Sequence, residues 1–258
     1  MKQANAAETP RSARRPGPVP PLATLVCALG LAAALLGARP LHAADLQPFQ
    51  ASYDVRWHGI SGGTSTSTLT RLDATRWSYA GDNVPNALAR MFLPASITQH
   101  SVLRIVDGVV QPLSYEYNDG TSAGKKSINV KYDWDKPRVT GTSELMPVDF
   151  EPPPGLQDDL SVQIALIEAL QMGHTPDSFI LLDNNGTREY RYARVGTETL
   201  KTPLGNIDTV IFSSQHPGSP RITRFWCAPA YQYVPLKAEQ RRKGSVEFTM
   251  DIKTLRIG

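Results

Sequence analysis

The stretch Glu151–His174, EPPPGLQDDLSVQIALIEALQMGH, decides how the rest of the chain is read. Pro152, Pro153 and Pro154 hold the backbone extended and cannot sit inside a helix. Asp158 and Asp159 follow, able to accept free backbone N–H bonds and to place negative charge at the positive end of a helix dipole. Gly173 supplies a stop, with Pro176 just beyond it. At about 100° per residue, Ser161, Glu168 and Gln171 fall on one narrow stripe, and Leu160, Val162, Ile164, Leu166, Ile167, Leu170 and Met172 cover most of the rest. A helix so apolar is buried on more than one side. It is too short to cross a bilayer, which takes about 20 apolar residues. The pattern places it against or inside a curved sheet, either as a core helix or as a plug on a barrel mouth.

Working outward, both flanks read as strands. Phe49–Trp57 alternates cleanly, with Phe49, Ala51, Tyr53, Val55 and Trp57 on one face. A turn at His58–Gly63 leads into a threonine-rich strand, Thr64–Leu72, and a third, Arg76–Gly81. Asn86–Phe92 allows one or two helical turns between prolines. Ile97–Val106 and Val109–Asn118 form a hairpin across Asp107-Gly108. Lys125–Trp134 and Arg138–Leu145 pair across the next turn. Beyond the helix, Ser178–Asp183 turns at Asn184-Asn185-Gly186 into Arg188–Leu200, followed by Asn206–Ser213, Ile222–Cys227, Leu236–Lys243 and Val246–Ile257. The expected fold is mainly β, a curved antiparallel half-barrel or open barrel wrapped around one apolar helix.

The N-terminus gives an address. Lys2, Arg11, Arg14 and Arg15 precede an uncharged apolar run, Leu22–Leu36, and small residues close at Leu41-His42-Ala43-Ala44. That is the pattern of a secretory signal peptide, so residues 1–43 are expected to be cleaved, leaving one β-rich domain over 44–258 in the periplasm with no transmembrane segment. Residues 1–43 hold five of the 27 basic and one of the 24 acidic residues, so the remainder carries a net charge of −1. The basic balance of the whole chain is therefore no argument for nucleic acid. Cys27 leaves with the apolar run, and Cys227 remains alone, without an internal disulfide, as a small buried hydrophobe.

Chemistry-bearing patterns are weak. Gly59-Ile60-Ser61-Gly62-Gly63 matches G-x-S-x-G, but that elbow needs a helix directly after the serine, and Thr64-Ser65-Thr66 is strand-like. His58, His100, His174 and His216 have no metal-site spacing and read as turn or surface residues. Asp158 and Asp159 are adjacent and point apart, which favours capping over acid–base work. No catalytic residue, metal or cofactor is expected.

Aromatic pairs two residues apart recur: Trp77/Tyr79, Tyr115/Tyr117, Tyr132/Trp134, Tyr190/Tyr192 and Tyr231/Tyr233. On a strand each pair shares a face. They either pack across strands in a core or line an apolar cavity.

Four ordered stretches resemble the bacterial envelope proteins grouped as domain-of-unknown-function family 3108. They are Phe49–Val55 with Gly62-Gly63; Pro112–Tyr117 with Tyr132-Asp133-Trp134; Gln157–Ser161; and Gly196–Leu200 with Thr202–Gly205, Phe225–Pro229 and Tyr233–Leu236. The resemblance carries no catalytic residues. It implies a fold similar to the lipoprotein-localisation carriers, a curved sheet around a helix that holds acyl chains. The expected function is a non-enzymatic periplasmic protein binding a lipid or other amphiphile. Trp77, Tyr79, Tyr115, Tyr117, Tyr132 and Trp134, with Leu166 and Leu170 on the helix, would line the site. The alternative is an envelope assembly module with a filled core and a protein partner.

Overall fold

The computed structural model describes residues 46–91, 96–183 and 186–258. The alternating stretches form a 14-stranded sheet in which every ladder is antiparallel. Its first eight strands are β1 (Phe49–Trp57), β2 (Ile60–Arg71), β3 (Arg76–Pro85), β4 (Ile97–Val106), β5 (Val109–Asn118), β6 (Ile128–Asp133), β7 (Arg138–Ser143) and β8 (Met146–Phe150). The helix α1 (Ser161–Gln171) follows. The last six are β9 (Ser178–Asp183), β10 (Gly186–Thr202), β11 (Gly205–Gln215), β12 (Arg221–Ala228), β13 (Val234–Arg242) and β14 (Ser245–Ile257).

The strand order is β8-β7-β6-β5-β4-β3-β2-β1-β14-β13-β12-β11-β10-β9, so β1 and β14 form a central seam and each half meanders outward from it. Bulges at Ser52/Tyr53, Val55/Arg56, Trp226/Cys227 and Gln240/Arg241 bend the strands near that seam. The edge strands β8 and β9 do not pair with each other, so the sheet is open, as the strand pattern predicts. Both edges are blunted. β8 is five residues long and contains Pro147. β9 is covered by Gln157, whose N–H donates to Ile180 O (2.8 Å) and whose carbonyl accepts from Leu182 N (2.7 Å). The Gln157 side chain also donates to Val110 O at 2.9 Å, tying the stretch after β8 to β5.

Two faces of α1 are buried against two clusters. Leu160, Ile164 and Ile167 join the main core with Phe49, Leu69, Tyr79, Tyr115 and Val130. Val162, Leu166 and Leu170 join a second cluster with Leu181, Tyr192, Phe212 and Cys227. The near-continuous apolar surface read in the sequence is thus used on both sides.

Some boundaries differ from the sequence reading. Ile60–Gly63 belongs to β2, because the hairpin turn is only two residues, His58 and Gly59, both at positive φ (47° and 80°). β8 was not anticipated: its turn uses Glu144 and Leu145 at positive φ (50° and 65°), with no glycine or asparagine to signal it. Tyr231 and Tyr233 do not share a strand face, since Tyr231 ends a 3₁₀ turn and Tyr233 has φ 60°. His100 lies within β4 and not in a turn; it is half-buried on the outer face of the sheet, its Nε2 2.8 Å from Ser78 Oγ. The Asn86–Phe92 expectation survives as a 3₁₀ turn, Ala89–Met91, with Phe92 outside the described residues. The expected signal peptide over 1–43 and the Asn184-Asn185 part of one turn also lie outside them. No helix among the described residues is long and apolar enough to cross a membrane.

Gly63 is fixed by a close approach. It has φ +139° and faces Pro85 in the β2–β3 ladder. A Cβ there would collide with the Val84 carbonyl and lie 2.8 Å from Pro85 Cα, both backbone atoms that cannot swing away. Gly63→Ala is therefore expected to cost about 3 kcal/mol, from backbone strain plus overpacking. Urea unfolding measures it, and an unchanged midpoint would refute the assignment.

Candidate functional site

The register sorts the inward-facing side chains into rows that cross the sheet. One row runs Phe49–Leu69–Tyr79–Ser101–Tyr115–Val130 over β1 to β6, and all six are buried. This row is a packed floor under α1. The next row toward the β1–β2 turn is Ala51–Ser67–Gly81–Gln99–Tyr117, and the one after it is Tyr53–Ser65–Asn83–Ile97. A further row runs Phe225–Ala238–Met250–Val55–Gly63–Pro85 from β12 to β3. Small residues dominate the β2 and β3 positions of these rows, and the start of the helix meets them at one end, through Leu160 against Gly81 and through Gln163.

The result is a cavity of about 850 Å³. Its walls are Tyr53, Val55, Ser65, Ser67, Gly81, Phe225, Ala238, Phe248 and Met250, and Leu160 and Gln163 close its inner end. Trp57, Ile60, Val84 and Leu88 line its outer end and are exposed, so the cavity opens there. The volume falls within the roughly 300–1,000 Å³ of small-molecule sites.

Two hydrogen bonds tie tyrosine hydroxyls at the inner side of the cavity. Tyr79 Oη donates to Gln163 Oε1 at 3.1 Å, and Tyr53 Oη donates to Pro235 O at 2.9 Å. Burial pushes the Tyr79 phenol up to about 12, so this hydroxyl stays protonated and neutral. Lys237 is the one charged residue on the lining among the described residues, and its ammonium sits 4.5 Å from the Trp226 ring centroid. What remains is a mainly apolar chamber with no convergent set of acids, bases or nucleophiles among the described residues.

Behind the inner end, Asp158 holds the helix start. Its Oδ1 accepts from Leu160 N (2.9 Å) and Ser161 N (2.7 Å), and its Oδ2 accepts from Ser101 Oγ (2.8 Å). Ser161 Oγ accepts in return from Asp158 N at 2.8 Å, a reciprocal cap. The first α-helical bond, Val162 N to Asp158 O, also starts there, so Asp158 is the working cap although the regular helix begins three residues later. Burial pushes the Asp158 carboxyl up to about 6, against the pull of these hydrogen bonds. Asp159 is exposed as a residue, but its carboxyl lies near Tyr115 and Asp183. Desolvation and then the Asp183 carboxylate push it up to about 6, and a hydrogen bond from Tyr115 opposes the rise.

The residues singled out in the sequence separate into four places. Tyr117 lines the cavity. Trp77, Tyr79 and Tyr115 are buried in the main core. Tyr132 and Trp134 stack with ring centroids 6.3 Å apart beside a smaller pocket of about 360 Å³ that also touches Arg104, Lys131 and Asp133. Leu166 and Leu170 pack in the second cluster. Sequence reasoning missed Ser65, Ser67, Gly81 and Ala238, whose signal was small side chains at inward positions of otherwise well-formed strands.

Ser61 sits inside β2, which runs straight on to Arg71, so the strand-to-helix elbow of a nucleophilic serine is not formed. Its Oγ (3.2 Å) and carbonyl (2.8 Å) accept from Asn86 Nδ2, anchoring the turn after β3. Cys227 is fully buried, and burial pushes its thiol up to about 12.

Comparisons with known proteins come from profile and fold. No curated protein matches the sequence. A β-barrel-like protein of the DUF1849 domain from Brucella abortus superposes with a TM-score of 0.56 at 11% identity, covering 83% of this chain and 98% of that one, and so shows a shared fold. A protein with a YmcC-like fold from Bacteroides fragilis gives a TM-score of 0.38 at 12% identity, covering 82% and 96% of the two chains. The profile of a family described as protein of unknown function matches residues 52–252, through both halves of the sheet and the helix, and the chain belongs to that family, DUF3108.

Proposed function

We propose that this chain is a non-enzymatic protein of the bacterial periplasm, exported by its N-terminal segment, that takes the hydrocarbon part of an amphiphile into the cavity between β12–β14 and β1–β4. The observation that carries the reading is an open chamber of about 850 Å³ whose walls are mainly apolar and, among the described residues, uncharged save for Lys237. Burying about twelve methylenes there is worth roughly 10 kcal/mol before the costs of association. After association costs of about 4 kcal/mol or more, about 6 kcal/mol at most remains from the chain, which is binding in the tens of micromolar, tighter where headgroup contacts add to it. The uncharged walls hold nothing that discriminates along an alkyl chain, so length and girth set selectivity.

The test is to purify the protein gently from the envelope of cells that make it, extract it with organic solvent and weigh what is released. A lipid or other amphiphile at one per protein is the expected result. A clean protein that also fails to take up a fluorescent alkyl probe would refute the reading.

A further inference from the structure

We propose that the open end of the cavity docks on the surface of a bilayer containing anionic phospholipid, an inference that rests on the proposed amphiphile site. The ladder registers bring the β1–β2 turn, the segment after β3, the start of β12 and the β13–β14 turn to the same end of the sheet. Five large apolar side chains ring the mouth there: Trp57 (52% exposed), Ile60 (62%), Val84 (41%), Leu88 (56%) and Met91 (73%). Such a cluster is costly in water and marks a contact surface. A tryptophan among aliphatic side chains is the composition that settles at the lipid–water boundary.

Charge chooses the partner. Trp57 faces Phe248 across β1–β14, and the β13–β14 turn with Arg242 and Lys243 lies just beyond. The same end carries Arg90, Arg221 and Arg241. Against these five cations stand two carboxylates, Glu239 bound to Arg241 (2.6 Å) and Glu247 shared by Arg221 (3.5 Å) and Arg242 (3.8 Å). The Arg56–Asp251 pair beside them adds no net charge. Lys243 and Arg90 make no ion pair among the described residues. An apolar ring bordered by excess positive charge is complementary to an anionic lipid surface, where each added Lys or Arg contributes about 1 kcal/mol. Docking also answers a physical need of the cavity. A chain passing through water exposes every methylene at about 0.8 kcal/mol each, whereas a mouth pressed to the bilayer exposes few.

The test is flotation of the protein, as recovered from its host's envelope, with vesicles of phosphatidylcholine alone or mixed with phosphatidylglycerol. The comparison is a double variant, Met91→Ser with Lys243→Glu, at two exposed positions outside the cavity lining. If the Leu22–Leu36 run is retained, it binds both proteins alike, so the readouts are the preference for phosphatidylglycerol and its loss in the variant. The wild type should favour anionic vesicles, and the variant should bind them about tenfold less well. Equal binding of both proteins, no preference for lipid charge, or flotation of neither would overturn the proposal. A parallel titration with a fluorescent alkyl probe, without vesicles, separates the two readings. Probe uptake without charge-dependent flotation removes docking and leaves the cavity. Charge-dependent flotation lost in the variant, without probe uptake, supports docking and removes the amphiphile site.

Discussion

Ala238→Trp is expected to cut the affinity for an alkyl probe by about a hundredfold while leaving the fold intact. Ala238 lies between Phe225 and Met250 in a cross-strand row whose members all line the cavity. An indole at that position has open space in front of it, so it fills the chamber without forcing the core apart. Excluding about four methylenes from the cavity forfeits about 3 kcal/mol, which is roughly two powers of ten in Kd. Thermal unfolding of the variant should match or exceed the wild type, because the new ring buries apolar area that was facing empty space. A probe titration with an unchanged Kd in a folded variant would show that the hydrocarbon goes elsewhere.

The elements of the fold were legible because each carries a local signal. The Phe49–Trp57 alternation and the Asp107-Gly108 turn give β1 and the β4–β5 hairpin to the residue. The helix ends at Gly173, which has φ 76°, as its position after the apolar run requires. Legibility fails where a turn uses residues that rarely adopt positive φ, as Glu144 and Leu145 do before β8. A strand that begins after such a turn has no punctuation in the sequence.

The site was harder to read, for a reason of packing. Aromatic pairs two apart mark an inward face, but an aromatic ring fills space. Tyr79 and Tyr115 are 2% and 1% exposed because they occupy the row on which α1 rests. A cavity forms where inward positions are small, as at Ser65 and Ser67 beyond Gly81, whose face Leu160 meets at the inner end. One strand shows only that such a residue faces inward. That Ser67 stands beside Gly81, and Gly81 beside Gln99, follows from registers set by turns far apart in the chain. Tyr117 is where the two logics coincide, since it is aromatic and lies one row beyond the helix.

Asp158→Ala is expected to destabilise the protein by about 4 kcal/mol, whereas Asp158→Asn should stay within about 1 kcal/mol of the wild type at neutral pH. Alanine removes the acceptor for Leu160 N and Ser161 N and the partner of Ser101 Oγ, all in a dry interior. A lost cap costs about 1 kcal/mol and each buried orphaned group about 1–3 more. Asparagine keeps an acceptor for the two N–H groups and can meet the serine with its amide. The pH dependence gives a second, independent reading. The folded carboxyl titrates near 6 against a reference of 3.8, so between those values the folded state binds more protons than the unfolded one. This contribution to stability is complete below about pH 4 and is lost as pH rises through 6. Stability should therefore increase from pH 7 to pH 5 in the wild type; Asp158→Asn should lose the Asp158 share of that slope, about half, because Asp159, also raised to about 6, titrates in the same window with the same sign. Asp73 has its carboxyl lowered to about 2 by the Thr75 N–H and by Arg76, so its opposing loss falls below this window. Urea unfolding at pH 7 and pH 5 decides the matter. A wild type that weakens on acidification to pH 5, or a variant that keeps the wild-type slope, would mean that Asp158 is ionised in the folded protein throughout and that its hydrogen bonds outweigh its burial.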